Sequence, residues 1–176
     1  MTWAPRANWD YVPIFLTVDN VGIYSVQDID RGVTATANAI NSSLAWNGAG
    51  VDNLVWAFPG LVWDYNLELG DGIPMIAFYD SVYYRSCSGN CIALTHRITE
   101  LRPDGSWRIV DSDVTTNENG HNFASTGQSS CLYEHYVESI FVHEVGHVLG
   151  LDHSLATSSN TMYPIGYYCD LNPSST

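Results

Sequence analysis

The feature that most constrains this chain is a set of histidines with fixed spacing, His143-Glu144-x-x-His147-x-x-Gly150-x-x-His153. The surrounding sequence has a helical pattern, so His143 and His147 project from one helix face about one turn apart. At that spacing both rings reach one Zn²⁺ at roughly 2.0–2.1 Å. Gly150 allows a sharp left-handed turn that ends the helix and brings His153 to the same metal. Three nitrogen ligands leave a fourth position for water, as in catalytic zinc sites.

Glu144 lies beside the first histidine, on the flank of the predicted site. There it can take a proton from a zinc-bound water without occupying a ligand position. The short pattern His-Glu-x-x-His recurs by chance, and paired surface histidines are common. Adding Gly150 and His153 lowers the chance of a random match to about one in ten million per start position. The pattern therefore predicts a catalytic zinc site.

The remaining histidines are His96, His121 and His135. His96 lies in a predicted strand, His121 in a polar loop and His135 at a predicted helix start. None has metal-ligand spacing, so we interpret them as surface or capping residues rather than as ligands of a second metal.

The charge balance of the 176-residue chain limits the classes of molecule that it can bind. It has six Lys and Arg together against 19 Asp and Glu, a net charge of −13. Nucleic-acid binding needs a basic surface, so that class is excluded. No apolar run approaches the roughly 18 residues of a membrane span. The acidity indicates solubility in a salty or acidic exterior, with a preference for cationic substrates as the alternative. No signal peptide is recognisable, which is expected either of a cytosolic protein or of a mature secreted domain.

The four cysteines are Cys87, Cys91, Cys131 and Cys169. None has Cys-x-x-Cys spacing, which argues against a zinc ribbon or a redox motif. An even number in an extracellular-type chain predicts two disulfides, Cys87–Cys91 and Cys131–Cys169. Four reduced thiols in a cytosolic protein are the alternative.

The hydrophobic pattern predicts a single α+β domain spanning residues 1–176, with an N-terminal subdomain 1–150 and a short C-terminal subdomain 151–176. The predicted elements are a strand at Val12–Val18, a helix over 26–44, strands at Leu54–Phe58, Pro74–Tyr79, Cys91–Ile98 and Trp107–Val114, an exposed loop at Thr115–Ser130 and a helix from Tyr133 to Gly150. The helix after Tyr133 has Val137, Phe141, Val145 and Val148 on one stripe.

With these residues, the chain resembles the metzincin metallopeptidases, whose histidine signature is followed by a Met-turn. Met162 lies nine residues after His153 and resembles the methionine of that turn, an apolar floor beneath the ligands. Ser154 is similar to the matrixin pattern (matrix metalloproteinases and microbial relatives). Pro164 stands where astacins and serralysins carry a tyrosine, which also favours matrixins.

The resemblance implies a twisted, mainly parallel sheet with an antiparallel edge strand and two main helices. It implies that the edge strand lines the substrate cleft, with Ile92, Ala93, Leu94 and Thr95. It also implies an uncharged pocket for the residue after the cut, walled by Tyr163, Pro164, Ile165, Gly166 and Tyr167.

The implied function is that of a secreted, monomeric, zinc-dependent endopeptidase acting on internal bonds of protein or peptide substrates. One catalytic zinc is implied, and no motif for a structural calcium is recognisable. The alternatives are a catalytically silent binding module or toxin and a non-peptidic zinc hydrolase.

Overall fold

The computed structural model describes residues 8–9, 14–19, 55–59, 69–77, 90–117, 120–124 and 132–170. The elements are β1 (Asn8–Trp9), β2 (Ile14–Asp19), β3 (Val55–Pro59), β4 (Met75–Ala77), β5 (Ala93–Leu101), β6 (Trp107–Thr116), β7 (Asn122–Ala124), β8 (Glu134–Tyr136) and the helix α1 (Val137–Val148). The predicted helix over 26–44 lies outside the described residues.

Strand β6 pairs with three other strands of a six-stranded mixed sheet. Along one edge, β6 pairs in parallel with β1 and with β4. Strand β2 lies between β4 and β3 and pairs in parallel with both. The other edge pairs with β5, which is antiparallel. Ile76 of β4 lies opposite Val114 of β6, and both side chains are fully buried. The mixed sheet with α1 agrees with the predicted α+β class.

Helix α1 covers the sheet with one apolar face, packing against β5 and β6. The predicted stripe is confirmed, because Val137, Phe141, Val145 and Val148 are at most 1 % exposed. The indole N–H of Trp9 on β1 donates to the Val148 carbonyl at 2.8 Å, so the sheet also holds the last turn of the helix. This packing fixes the helix face from which the histidines project.

The structure corrects two predicted boundaries. The helix begins at Val137 rather than Tyr133, because Glu134–Tyr136 instead forms β8 and pairs with β7. The stretch Thr115–Ser130 is not simply an exposed loop, since Thr115 and Thr116 extend β6 and Asn122–Ala124 forms β7. Pairing with β5 continues the strand and buries both threonines, which the polar composition of the stretch concealed.

After α1 the described chain, 151–170, contains turns but neither helix nor strand. This agrees with the predicted irregular tail, whereas its division into a separate subdomain stays a prediction. Among the described residues, no helix is both long enough and apolar enough to cross a membrane.

Candidate metal centre

Two histidines come from one face of α1. The ring centroids of His143 and His147 are 4.8 Å apart. Just beyond them the helix ends at Gly150, whose φ of 94° confirms the predicted left-handed turn. The Gly150 N–H donates to the His147 carbonyl at 2.9 Å and the Leu151 N–H to that of Gly146 at 3.0 Å. These two bonds form a Schellman motif, which reverses the chain.

The reversal brings His153 back to the helical pair. Its ring centroid lies 5.2 Å from that of His143 and 4.7 Å from that of His147. One potential ligand atom from each of the three side chains lies within 4.8 Å of the others. In the part of the chain that the structure describes, this is the only such group of three or more His, Cys, Asp or Glu.

Backbone carbonyls orient the two helical rings. His143 Nδ1 lies 2.7 Å from the Thr161 oxygen, and His147 Nδ1 lies 2.8 Å from the Leu151 oxygen. A carbonyl oxygen only accepts, so each Nδ1 carries the hydrogen and each Nε2 presents its lone pair. His147 Nε2 lies 3.1 Å from His153 Nε2, so these atoms converge on one point. This donor set fits Zn²⁺.

The charge state of the histidines also suits a metal. Burial, helped by the neighbouring histidines, lowers the pKa of His143 to about 4. Burial likewise lowers the pKa of His147 and of His153. A lowered pKa keeps imidazole neutral at pH 7, which is the form that binds a metal.

Glu144 lies next to these ligands but is not one of the group. It is 6 % exposed, and burial raises its pKa to about 7. Its Oε2 lies 2.5 Å from the Thr95 hydroxyl on β5. A carboxyl group with such a pKa can both accept and return a proton near neutral pH.

A cavity of about 300 Å³ opens on one side of this group, and its lining includes His143, Glu144 and the whole segment Tyr163–Tyr167. The segment therefore borders the same cavity as His143 and Glu144, and its role as a substrate pocket stays a prediction. The lining also includes Ile140 and Asp170, which sequence reasoning missed. Asp170 adds a carboxyl group to the lining, because the tail folds back beyond the segment that was considered.

A second cavity, of about 430 Å³, borders the same group and follows β5 as far as Arg97, whereas the first cavity extends in the other direction to Asn90. Arg97 and Asp152 line it and form an ion pair at 3.1 Å. Ala93 and Leu94 of the edge strand line both cavities. The cleft therefore continues past the histidines in both directions along β5.

Met162 lies in a turn closed by the Tyr163 N–H, which donates to the Asn160 oxygen at 2.9 Å. It is 3 % exposed, and its carbonyl accepts from the Ser154 N–H at 2.7 Å. The turn thus contacts the chain directly after His153. Its role as an apolar floor for the ligands stays a prediction.

The other histidines lie apart from this group. The rings of His121 and His135 pack together with centroids 5.1 Å apart. The interpretation of His135 as a surface or capping residue is wrong, since it is 3 % exposed in β8 and burial lowers its pKa to about 4. Pairing with β7 turns this position inward, which the helical pattern did not show. His96 lies on β5, as predicted.

Cys91 and Cys169 are both disulfide-bonded. Their predicted partners, Cys87 and Cys131, lie outside the described residues, so the two pairings stay a prediction. The Cys169 N–H donates to the Glu134 oxygen at 2.9 Å, which places the tail beside the start of α1.

Three converging histidines with a buried glutamate beside them form a group that could hold a metal ion, in an arrangement that metal-dependent hydrolases use. The sequence model of the matrixin family matches residues 76–173, which is 98 of the 176 residues. The chain belongs to the matrixin family of metallopeptidases, and the resemblance is thereby confirmed. A comparison with curated proteins finds no match.

Proposed function

We propose that this protein is a secreted zinc-dependent endopeptidase that cleaves internal peptide bonds. The observation that carries the proposal is the convergence of His143, His147 and His153 within 4.8 Å, with Glu144 buried beside them. Three neutral nitrogen donors would hold one zinc and leave a coordination position open. Membership of the matrixin family supports the same chemistry.

When bound, zinc supplies a Lewis acid that polarises the substrate carbonyl and acidifies water. The protein's own contribution centres on Glu144, which accepts a proton from the attacking water. Glu144 then passes that proton to the leaving amine. Its pKa, raised by burial to about 7, suits both transfers. The carbonyls of Thr161 and Leu151 keep the ring nitrogens of His143 and His147 aimed at the metal.

The first part of the edge strand β5, from Ala93 to Arg97, lines the two cavities and supplies the binding surface for an extended peptide. One edge of β5 pairs with β6, and among the described strands none pairs with its other edge. An extended peptide adds to such an edge by main-chain hydrogen bonds. Because cavities lie on both sides of the histidines along β5, a peptide can continue past the site in both directions. That supports cleavage of internal bonds.

The cavity walled by Tyr163–Tyr167 is the proposed pocket for the residue after the cut. Gly166 lets this wall approach Ile92 and Ile140 closely, since a Cβ at this position would lie 2.9 Å from Ile92 Cδ1 and 3.4 Å from Ile140 Cδ1. Aromatic and aliphatic walls favour an apolar side chain, and they disfavour a charged one that finds no partner there. Met162 is the proposed Met-turn residue beneath the ligands.

Secretion is supported by the disulfide-bonded state of Cys91 and Cys169, because disulfides persist in oxidising compartments. The proposed pairings are Cys87–Cys91 and Cys131–Cys169. The second pairing would tie the tail to the segment that precedes α1.

The alternatives are a silent binding module and a non-peptidic hydrolase. A binding module has no use for Glu144, which is buried with a raised pKa beside the site and outside the ligand group. Incubation of the zinc-loaded protein with unfolded casein, with and without a chelator, tests the proposal. We expect fragments only without the chelator. Intact casein under both conditions would contradict the endopeptidase assignment.

A further inference from the structure

The side chain of Thr95 connects the edge strand to the proposed base. Its Oγ1 lies 2.5 Å from Glu144 Oε2 and 3.2 Å from the backbone oxygen of the same residue. Thr95 is half-buried, and Glu144 is 6 % exposed. The hydroxyl therefore meets the carboxyl group where little water can replace it.

The hydrogen-bonding capacity of a hydroxyl group explains both contacts. Thr95 has one hydrogen to donate and lone pairs with which to accept. This one hydroxyl group therefore lies within hydrogen-bond distance of both the carboxyl group and the backbone oxygen of Glu144.

We propose that Thr95 is a positioning residue that fixes the orientation of the Glu144 side chain through the contact of its hydroxyl group with Oε2. This inference rests on the proposed function, because the orientation of this carboxyl group affects kcat only if Glu144 is the base. Thr95 acts through Glu144 and not on the metal, since its hydroxyl contacts Glu144 rather than a histidine.

The position of Thr95 gives the contact a second consequence. Side chains alternate along a strand, so Thr95 and Arg97 share one face of β5. That face meets α1 and the loop after it, at Glu144 and Asp152. The strand proposed to bind the substrate therefore also holds the side chain of Glu144. The position of a bound peptide relative to the base is fixed as a result.

The test uses zinc-loaded protein of the full chain and a fluorogenic peptide. Thr95→Val keeps the shape of the side chain and removes the hydroxyl, so kcat should fall about 10- to 100-fold while KM changes less than about threefold. Thr95→Ser restores the hydroxyl and should recover kcat to within about threefold of the original protein. Zinc content should stay near one equivalent in both variants.

Thr99→Val is the matched control, because it makes the same change at an exposed position of the same strand. It should leave kcat unchanged. The change in its melting temperature measures how much replacing a threonine with valine on this strand alters stability by itself. Thr95→Ala offers a second way to remove the hydroxyl should Thr95→Val fail to fold. Full kcat in Thr95→Val, loss of zinc from it, or equal losses in Thr95→Ser would each overturn the proposal. Lack of cleavage by the unsubstituted protein would instead count against the proposed function.

Discussion

Arg97 Nη2 on β5 lies 3.1 Å from Asp152 Oδ1, so the edge strand is tied by an ion pair to the residue directly before His153. Asp152 lies in the short turn that returns the chain after α1. The pair therefore restrains the one ligand that the helix does not hold. This explains how an exposed histidine on an irregular segment can keep its place beside two helical ones.

Replacing Arg97 with Met should weaken zinc binding without abolishing it. The pair is partly exposed, with 27 % and 42 % of the two side chains accessible, so it contributes no more than about 1 kcal/mol. We expect the zinc Kd to rise up to about fivefold and activity to return with added zinc. Competition with a chromogenic chelator measures this.

Arg108→Met is the control for that measurement. It breaks the ion pair between Arg108 of β6 and Glu100 of β5, whose charged atoms lie 2.7 Å apart. Neither residue lines the two cavities beside the histidines. The zinc affinity of this variant should equal that of the unsubstituted protein. An equal loss in both variants would show that the Arg97 pair has no special role at the site.

The ligand set is tested by two single substitutions. His153→Ala removes one of three converging nitrogen donors and should lose both zinc and activity. His121→Ala removes a ring that packs against His135 instead and should lose neither. Zinc content by atomic absorption decides the matter. If His121→Ala also releases the metal, the assigned ligands are wrong.

Sequence patterns predicted the local parts of this site well. The spacing of His143 and His147 fixes one helix face, and Gly150 signals the turn that returns His153, because these relations depend only on neighbouring residues. Contacts between distant segments could not be derived in the same way. Nothing in the sequence near Arg97 points to Asp152, 55 residues later.

The same limit explains the errors in the fold. The polar stretch after Val114 resembles a loop by composition, yet pairing with β5 makes Thr115 and Thr116 part of a buried strand. Likewise the residues around His135 form β8 instead of a helix, because they pair with β7. The alternation along β5 was readable, however, and it places Thr95 and Arg97 on one face.

Cleavage specificity should follow the pocket beside the histidines. Peptides with Leu, Met, Phe or Tyr after the cut should be preferred, since each desolvated methylene contributes about 0.8 kcal/mol. Peptides with Asp or Glu there should be rejected, and the net charge of −13 should add a salt-sensitive bias against acidic peptides. Sequencing the products of a peptide-library digest at low and high salt measures both effects. Cuts mainly before Asp or Glu would place the pocket elsewhere.

Asp113 should make stability fall as the pH rises. It is 1 % exposed, and burial together with Asp111 and Asp71 raises its pKa to about 8. Between the unfolded pKa of about 3.9 and the folded value, the native state binds a proton that the unfolded state lacks. This stabilising contribution is complete at low pH and is lost as the pH rises through about 8.

The substitution Asp113→Asn removes that ionisation. The unfolding free energy of the variant minus that of the unsubstituted protein should be larger at about pH 9 than at about pH 5, by at least ~1.4 kcal/mol. Denaturant unfolding at the two pH values measures the gain. Asp104→Asn is the control, since Asp104 lies in an exposed turn and a hydrogen bond from Ser106 lowers its pKa. A gain of the same size in the control would assign the effect to net charge instead.

The most direct test of the central claim is a zinc titration of metal-free protein, followed by peptide hydrolysis. We expect activity to rise with zinc and to level off at about one equivalent. Glu144→Gln should bind the same equivalent, yet its kcat should be lower by several orders of magnitude, because the substitution removes the base and no ligand. Substantial hydrolysis by zinc-loaded Glu144→Gln, or hydrolysis by the metal-free protein, would contradict the account.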